Sequence, residues 1–237
     1  MIISKNLLTY ILILPLIGFF VLCFIPSSKV KLIKTIGFRF SCITFLLSLY
    51  IWIIFNNSLG GFQLVTKNSW LSLLNINLNL GVDGISFFFV ILTTLLISLC
   101  ILTSWNSVTF NIKEYIMAFL LMEFFLIGVF CVLDLLLFYV FFESVLIPMF
   151  LIIGCWGSRE RKIRAAYFFF LYTLIGSIIM LLSILYIFDQ VHTTDYEVLL
   201  TFSFSKTEQY IMWFTFFYHL LQKCLCYLHI YGYQKLT

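Results

Sequence analysis

The run LLLFYVFFESVLIPMFLI, from Leu135 to Ile152, carries a single charged side chain, Glu143. A carboxylate in the middle of an apolar span has few ways to exist. An ionised acid at the centre of a membrane helix costs about 2.5–3.5 kcal/mol on insertion scales. Glutamate is also too short to snorkel to the interface as lysine does. Glu143 must therefore face a protein interior, keep its proton, or meet a cation or water. Glu123, within LLMEFFLIG, poses the same problem in the preceding apolar run. If two acids on adjacent antiparallel helices share one polar interior, low dielectric keeps both from ionising together, and such groups suit proton transfer. The competing reading is a neutral acid hydrogen-bonded to a neighbouring helix for assembly alone. Position in the sequence leaves both open.

Pro148 follows Glu143 by one helical turn and has no N–H, so the carbonyl of Ser144 loses its helical donor. A freed carbonyl and the Ser144 hydroxyl beside Glu143 are a place for water, or simply a kink.

The elements that must hold these acids are membrane helices. The chain has 237 residues, of which 63% are hydrophobic and 10% charged, with a mean hydropathy of +1.11. A soluble domain has about 45–50% apolar and about 25% charged residues. A hydrocarbon core of about 30 Å needs roughly 20 helical residues. Apolar runs of that order lie at 7–25, 36–55, 85–103, 114–133, 135–155 and 165–188, and a seventh starts at 209 and reaches at least 221. Short alternating runs of the barrel kind do not stand out, which leaves a helical bundle. The fold expected is all-α: a polytopic transmembrane bundle of six full helices plus the start of a seventh. The first run is expected to be a retained helix, since no small-x-small cleavage site precedes PSSKVK.

Lys and Arg placement gives a topology. Lys29, Lys31 and Lys34 follow the first run, Lys113 follows the third, and GSRERKIR, with Arg159, Arg161, Lys162 and Arg164, follows the fifth. The opposite connections hold Lys67, Asp134 and the mixed set Asp189, Asp195, Glu197, Lys206 and Glu208. The N-terminus is then outside and the basic loops face the cytoplasm or its mitochondrial equivalent. The Asn-rich loop Asn56–Leu80 reads as a surface excursion, and Asp83 in GVDGIS as a helix N-cap. His192 reads as a solvated loop residue. The tryptophans Trp52, Trp70, Trp105, Trp156 and Trp213 read as interface anchors. The seven cysteines lack metal-ligand spacing and read as packing residues. No Gly-rich phosphate loop, nicotinamide fingerprint or nucleic-acid signature occurs. Only three alanines stand against 29 phenylalanines, a bias that fits an AT-rich organellar genome.

Three stretches, LGVDGISFFFVILTTLL, MEFFLIGVFCVLDLLLFYVFFESVLIPMFLIIGCWG and RERKIRAAYFFFLYTLIGSIIMLL, resemble the chain 4 family of antiporter-like membrane subunits of NADH:ubiquinone oxidoreductase, respiratory complex I. The resemblance is strong from about Leu80 to Leu182. It implies proton translocation coupled to electron transfer from NADH to ubiquinone elsewhere in the complex. The family's essential fifth-helix glutamate matches Glu143, and its fourth-helix glutamate matches Glu123. The isolated chain is then not catalytic, and binds no cofactor itself: NADH, FMN, iron–sulfur clusters and ubiquinone belong to the complex. Implied partners are other membrane-arm subunits and the bilayer, with no nucleic acid. The implied location is the mitochondrial inner membrane, with the N-terminus on the intermembrane-space side and the basic loops in the matrix. The alternatives are a cation/proton antiporter-type or purely structural membrane subunit, or a nonfunctional truncated product.

The resemblance also implies a lysine in a broken seventh helix, within K-[ML]-P-M-x-P-x-H-x-W-L-P-[ED]-A-H, as partner of the fifth-helix acid. This chain instead reads FFYHLLQKCLCYLHIYGYQKLT. Written with suitable codons and read two bases later, YGYQKLT becomes WLPEAH and QKCLCY becomes KMPML. Residues 1–217 are therefore expected to form the transmembrane domain, and 218–237 an out-of-frame tail. Lys223 overlaps the family lysine codon by two bases and is left without that role.

Overall fold

The computed structural model describes residues 6–56, 58, 60–71, 76–157 and 162–235. The apolar runs form α1 (Leu7–Phe24), α2 (Val30–Ile54), α3 (Ser86–Thr103) and α4 (Ile112–Cys131). They continue as α5 (Leu135–Ser144), α6 (Leu146–Trp156), α7 (Lys162–Val191), the short α8 (Tyr196–Leu199) and α9 (Lys206–Lys235). Helix is the form that satisfies backbone polar groups inside the segment itself, so apolar composition and helical structure go together in lipid. Among the described residues six stretches are long and apolar enough to cross a membrane: α1, α2, α3, α4, the combined Leu135–Trp156 and α7. The all-α bundle read from hydropathy is the observed fold.

Three details differ from the sequence reading. The loop expected as a surface excursion is a β-hairpin, with β1 (Gln63–Leu71) antiparallel to β2 (Ile76–Val82) and Thr66 opposite Leu80. The fifth run divides at Val145 into α5 and α6, although Val145 keeps helical angles and its N–H still donates to the Phe141 carbonyl at 3.3 Å. The seventh helix runs without interruption to Lys235. Of the basic loop, Arg159 and Arg161 lie outside the described residues.

Helix starts follow local chemistry. Asp83 Oδ1 accepts from the Ser86 and Ile85 amides at 2.6 and 3.3 Å, ahead of α3. Asp134 Oδ1 accepts from the Leu136 and Leu137 amides, both at 3.0 Å, at the start of α5. Ser205 and Glu208 form a reciprocal capping box at the start of α9, with Ser205 N–H on Glu208 Oε2 at 2.8 Å and Glu208 N–H on Ser205 Oγ at 3.4 Å.

The helices sort into two packed groups. α1 to α4 contact one another, α7 contacts α9, and the α5–α6 pair bridges them through α4 on one side and α7 on the other. Close approach of α2 to α4 depends on Gly37, where a Cβ would run into Ile116. Outward-facing apolar side chains such as Phe24, Phe168 and Leu182 stay exposed on the outer surface, as lipid contact requires.

The two ends of the bundle differ. At one end Lys113 Nζ donates to the carbonyls of Cys23 and Ile25, both at 2.9 Å. There Lys34 donates to the Trp105 carbonyl, and Trp156 Nε1 to the Phe110 carbonyl at 2.8 Å. The expected basic connections thus gather at one end. At the other end the hairpin, the Val132–Asp134 turn and the segment before α8 are stitched together. Leu133 N–H donates to Asn79, Leu135 N–H to Thr194, and Tyr196 N–H to Leu133, all at 2.8–2.9 Å. Asp134 Oδ2 accepts from Thr194 at 2.6 Å, Asp195 accepts from Asn79 at 2.8 Å, and Lys67 pairs with Glu197 at 2.9 Å.

Candidate functional site

Glu143 sits on α5 just before the interruption at Val145. Its side chain keeps 17% of its surface, and its Oε1 has no hydrogen-bond partner. Two side chains of α9 face it: His219 Nε2 at 3.5 Å and Lys223 Nζ at 3.6 Å. The four-residue spacing puts both on one helix face. Lys223 Nζ also sits 3.2 Å from the centroid of the Phe142 ring, a cation–π geometry. Ser177 of α7 adjoins the carboxylate from a third direction. The Ser144 hydroxyl, expected to help recruit water, instead donates to the Val140 carbonyl at 2.7 Å.

α9 approaches α7 closely at Gly176. A Cβ there would run into Gln222 Oε1 and come within 3.1 Å of His219 Nδ1. Both ring nitrogens of the fully buried His219, together with Gln222 Oε1 and Glu143 Oε1, lack hydrogen-bond partners. These polar atoms converge on one buried pocket between α5, α7 and α9.

Glu123 is fully buried on α4. Its Oε1 accepts from Thr44 Oγ1 of α2 at 2.5 Å, while Oε2 has no partner. The hydroxyls around it pair across helices: Ser41 with Ser98 at 2.5 Å and Ser48 with Thr94 at 2.9 Å.

The two acids therefore do not share one interior. Glu123 is turned toward α2 in the first helical group, and Glu143 toward α9 in the second. Sequence reasoning found both carboxylates but left Lys223 unassigned and did not single out His219 or the hydroxyl pairs. A legible signal existed for the pairs: Ser41, Thr44 and Ser48 lie on one helical face, and Thr94 and Ser98 on another, at spacings that favour close helix–helix contact. Among the described residues no group of three His, Cys, Asp or Glu side chains is placed to hold a metal ion. The side chains of Cys224 and Cys226 lie outside what is described.

Comparison with known proteins places these features. Residues 132–229 match the family described as NADH:quinone oxidoreductase/Mrp antiporter, TM. The chain is 58% identical over 210 residues to NADH-ubiquinone oxidoreductase chain 4 of Arabidopsis thaliana, covering 89% of this chain and 42% of that one. It is 56% identical over 203 residues to the chain 4 protein of Chondrus crispus, covering 86% and 41%. The chain thus spans less than half the length of these relatives. Among solved structures, a chain of respiratory complex I from Thermus thermophilus with bound NADH superposes with a TM-score of 0.77 at 27% identity, covering 90% of this chain and 43% of that one. A chain of an archaeal membrane-bound sulfane sulfur reductase shares the fold alone, with a TM-score of 0.73 at 18% identity over 90% of this chain and 33% of that one.

Proposed function

The chain belongs to the family of NADH:quinone oxidoreductase and Mrp antiporter membrane subunits, and on that premise we propose that it serves in the membrane arm of a proton-translocating NADH:ubiquinone oxidoreductase. Glu143 is a proton-holding carboxylate in this reading, and Glu123 a second. Electron transfer from NADH to ubiquinone takes place on other chains, which bind NADH, FMN, the iron–sulfur clusters and the quinone. The partners are other membrane-arm subunits and the lipid. The location is the mitochondrial inner membrane, with the basic loop end in the matrix and the N-terminus on the intermembrane-space side.

The observation that carries this reading is Glu143 itself, a carboxylate in the middle of the apolar span Leu135–Trp156 whose side chain keeps only 17% of its surface inside the bundle. Lys223 Nζ, 3.6 Å away on α9, favours the ionised form of that carboxylate and so lowers the cost of its giving up a proton inside the bundle. The neutral, hydrogen-bonded acid of a purely structural role needs no such cation.

Glu143→Gln in the assembled complex tests it. The amide keeps the size and loses the titratable proton. Assembly and NADH oxidation with an artificial acceptor should survive, and proton translocation per electron should fall to a small fraction. Normal translocation in that variant would remove Glu143 from the mechanism.

A second reading, a membrane subunit that holds its place without carrying protons, is favoured by one observation. His219 Nε2 and Lys223 Nζ stand 3.5 and 3.6 Å from Glu143 Oε1. These distances are too long for the hydrogen bonds along which a proton would pass. An Mrp-like exchange of monovalent cations is separated from both readings by co-purification with flavin and iron–sulfur chains.

A further inference from the structure

Glu123 lies in a place where hydrogen atoms can be counted. The acid is fully buried. Its Oε1 is 2.5 Å from Thr44 Oγ1, which is in turn 2.7 Å from the Ser41 carbonyl. Thr44 has one hydroxyl proton and two acceptors within reach. If Glu123 is ionised, that proton must point at Oε1, and the bond to the Ser41 carbonyl is given up. If Glu123 carries its proton on Oε1, the acid donates to Thr44 Oγ1, and the Thr44 hydroxyl turns to the Ser41 carbonyl.

The second oxygen separates the two arrangements further. Glu123 Oε2 has no donor within reach. In the neutral acid this leaves one bare carbonyl oxygen. In the anion it leaves part of a negative charge without a donor, the costlier omission in a dry interior. The arrangement is nearly complete for the acid and incomplete for the anion.

The surrounding hydroxyls fix Thr44 in place but do not form a wire. Ser41 Oγ pairs with Ser98 Oγ at 2.5 Å, and Ser98 Oγ donates to the Thr94 carbonyl at 3.0 Å. Ser48 Oγ pairs with Thr94 Oγ1 at 2.9 Å. These bonds tie α2 to α3 on either side of Thr44. The step from Thr44 to Ser41 passes through a backbone carbonyl, which has no proton to hand on.

From this geometry we propose that Thr44 is the positioning residue of Glu123. Its hydroxyl reverses direction according to whether the acid holds a proton, and the α2–α3 hydroxyl pairs hold it in register. In the protonation step a hydronium ion gives one proton to Glu123 Oε1 and leaves as water, the Thr44 O–H rotates from Oε1 to the Ser41 carbonyl, and the new acid O–H donates to Thr44 Oγ1. No other bond changes. The inference rests on the reading of Glu123 as a proton-holding group and adds a residue on a different helix to it.

The test uses native membranes carrying the whole complex with Glu123→Gln, Thr44→Val or Thr44→Ser. Infrared difference spectra report the carbonyl stretch of protonated carboxylic acids, and proton translocation per electron is measured on the same membranes. The band assigned to Glu123 is the one missing in Glu123→Gln. In Thr44→Val that band should move to higher frequency, because its acid has lost its partner. Thr44→Ser should restore both the band position and translocation, and Thr44→Val should lower translocation several-fold. A Glu123 band unmoved by Thr44→Val overturns the Thr44 assignment even if Glu123→Gln abolishes translocation. Translocation unchanged in Glu123→Gln overturns the underlying reading instead. If Thr44→Val fails to assemble, Thr44→Cys takes its place, with the same band shift expected and the same unmoved band decisive against it.

Discussion

Lys223 Nζ lies 3.6 Å from Glu143 Oε1 and 3.2 Å from the centroid of the Phe142 ring. The ammonium is thus held between a carboxylate and a π face contributed by neighbouring residues of α5. At 3.6 Å the contact is an ion-pair approach and too long for a good hydrogen bond.

Removing the cation while keeping its length tests whether this pair acts as a unit. With the frame as given, Lys223→Met should cut proton translocation to about a tenth or less, since each ~1.4 kcal/mol lost at a transfer step is tenfold in rate. His219→Phe should have the smaller effect, because an imidazole 3.5 Å from the carboxylate carries charge only when protonated. Equal losses in the two variants, measured with Glu143→Gln as reference, would point to disturbed packing rather than to an ion pair.

The close approach at Gly176 predicts an overpacking defect with a specific cure. Gly176→Ala should destabilise the α7–α9 contact by about 1–3 kcal/mol. The added methyl meets the end of Gln222, so the double variant Gly176→Ala with Gln222→Ala should recover most of the loss. Thermal unfolding in detergent reads both, and failure of the second change to rescue would place the clash elsewhere.

Two acids at the stitched end should behave very differently. Asp134 is 2% exposed and accepts from two amides and from Thr194. Asp134→Ala removes a helix cap and orphans a buried hydroxyl, a loss of about 2–4 kcal/mol. Glu197→Gln breaks only the Lys67 pair on exposed side chains, and should cost less than about 1 kcal/mol. Comparable melting shifts for the two would contradict this ranking.

Asp83 gives a pH signature. Desolvation pushes its carboxyl up, but the hydrogen bonds from Ser86 and Ile85 outweigh it and hold it below the ordinary 3.8. A group depressed on folding stabilises above its unfolded value and loses that contribution as pH falls through its folded one. The wild-type protein should therefore lose the cap only below about pH 3.8, whereas Asp83→Ala should be weakened by about 0.5–2 kcal/mol at neutral pH. The difference between the two melting curves should shrink on acidification, and a constant difference would deny the cap its charge.

Sequencing the transcript across codon 218 tests the proposed change of frame. The frame two bases on is expected to encode K-M-P-M and, further along, W-L-P-E-A-H. If it encodes no such stretch, the α9 side chains His219, Gln222 and Lys223 are the intended ones.

The spans and the two carboxylates were legible because uninterrupted apolar runs of membrane length leave little choice of structure. The faces of those helices were not. A helix that is apolar all round has no polar stripe to show which side turns inward, so nothing local said that Glu123 looks toward α2 and Glu143 toward α9. The interruption beside Pro148 was foreseeable from its missing N–H, whereas its placement at Val145 and the diversion of the Ser144 hydroxyl to Val140 depend on packing. The hairpin was readable and was missed. INLNL, from Ile76 to Leu80, alternates with the period of a strand, but its asparagines suggested a loop. Lys223 was set aside on the strength of its neighbours in sequence, yet its spacing of four from His219 brings it to Glu143.

The Val132–Asp134 turn joins the helix of one acid to the helix of the other, and both sides of it are fastened, to Asn79 on one flank and to Thr194 and Tyr196 on the other. A linkage this short and this fully bonded has no slack. The helices of the two acids are therefore set against one another by bonded backbone, and neither has a free loop between it and its neighbour.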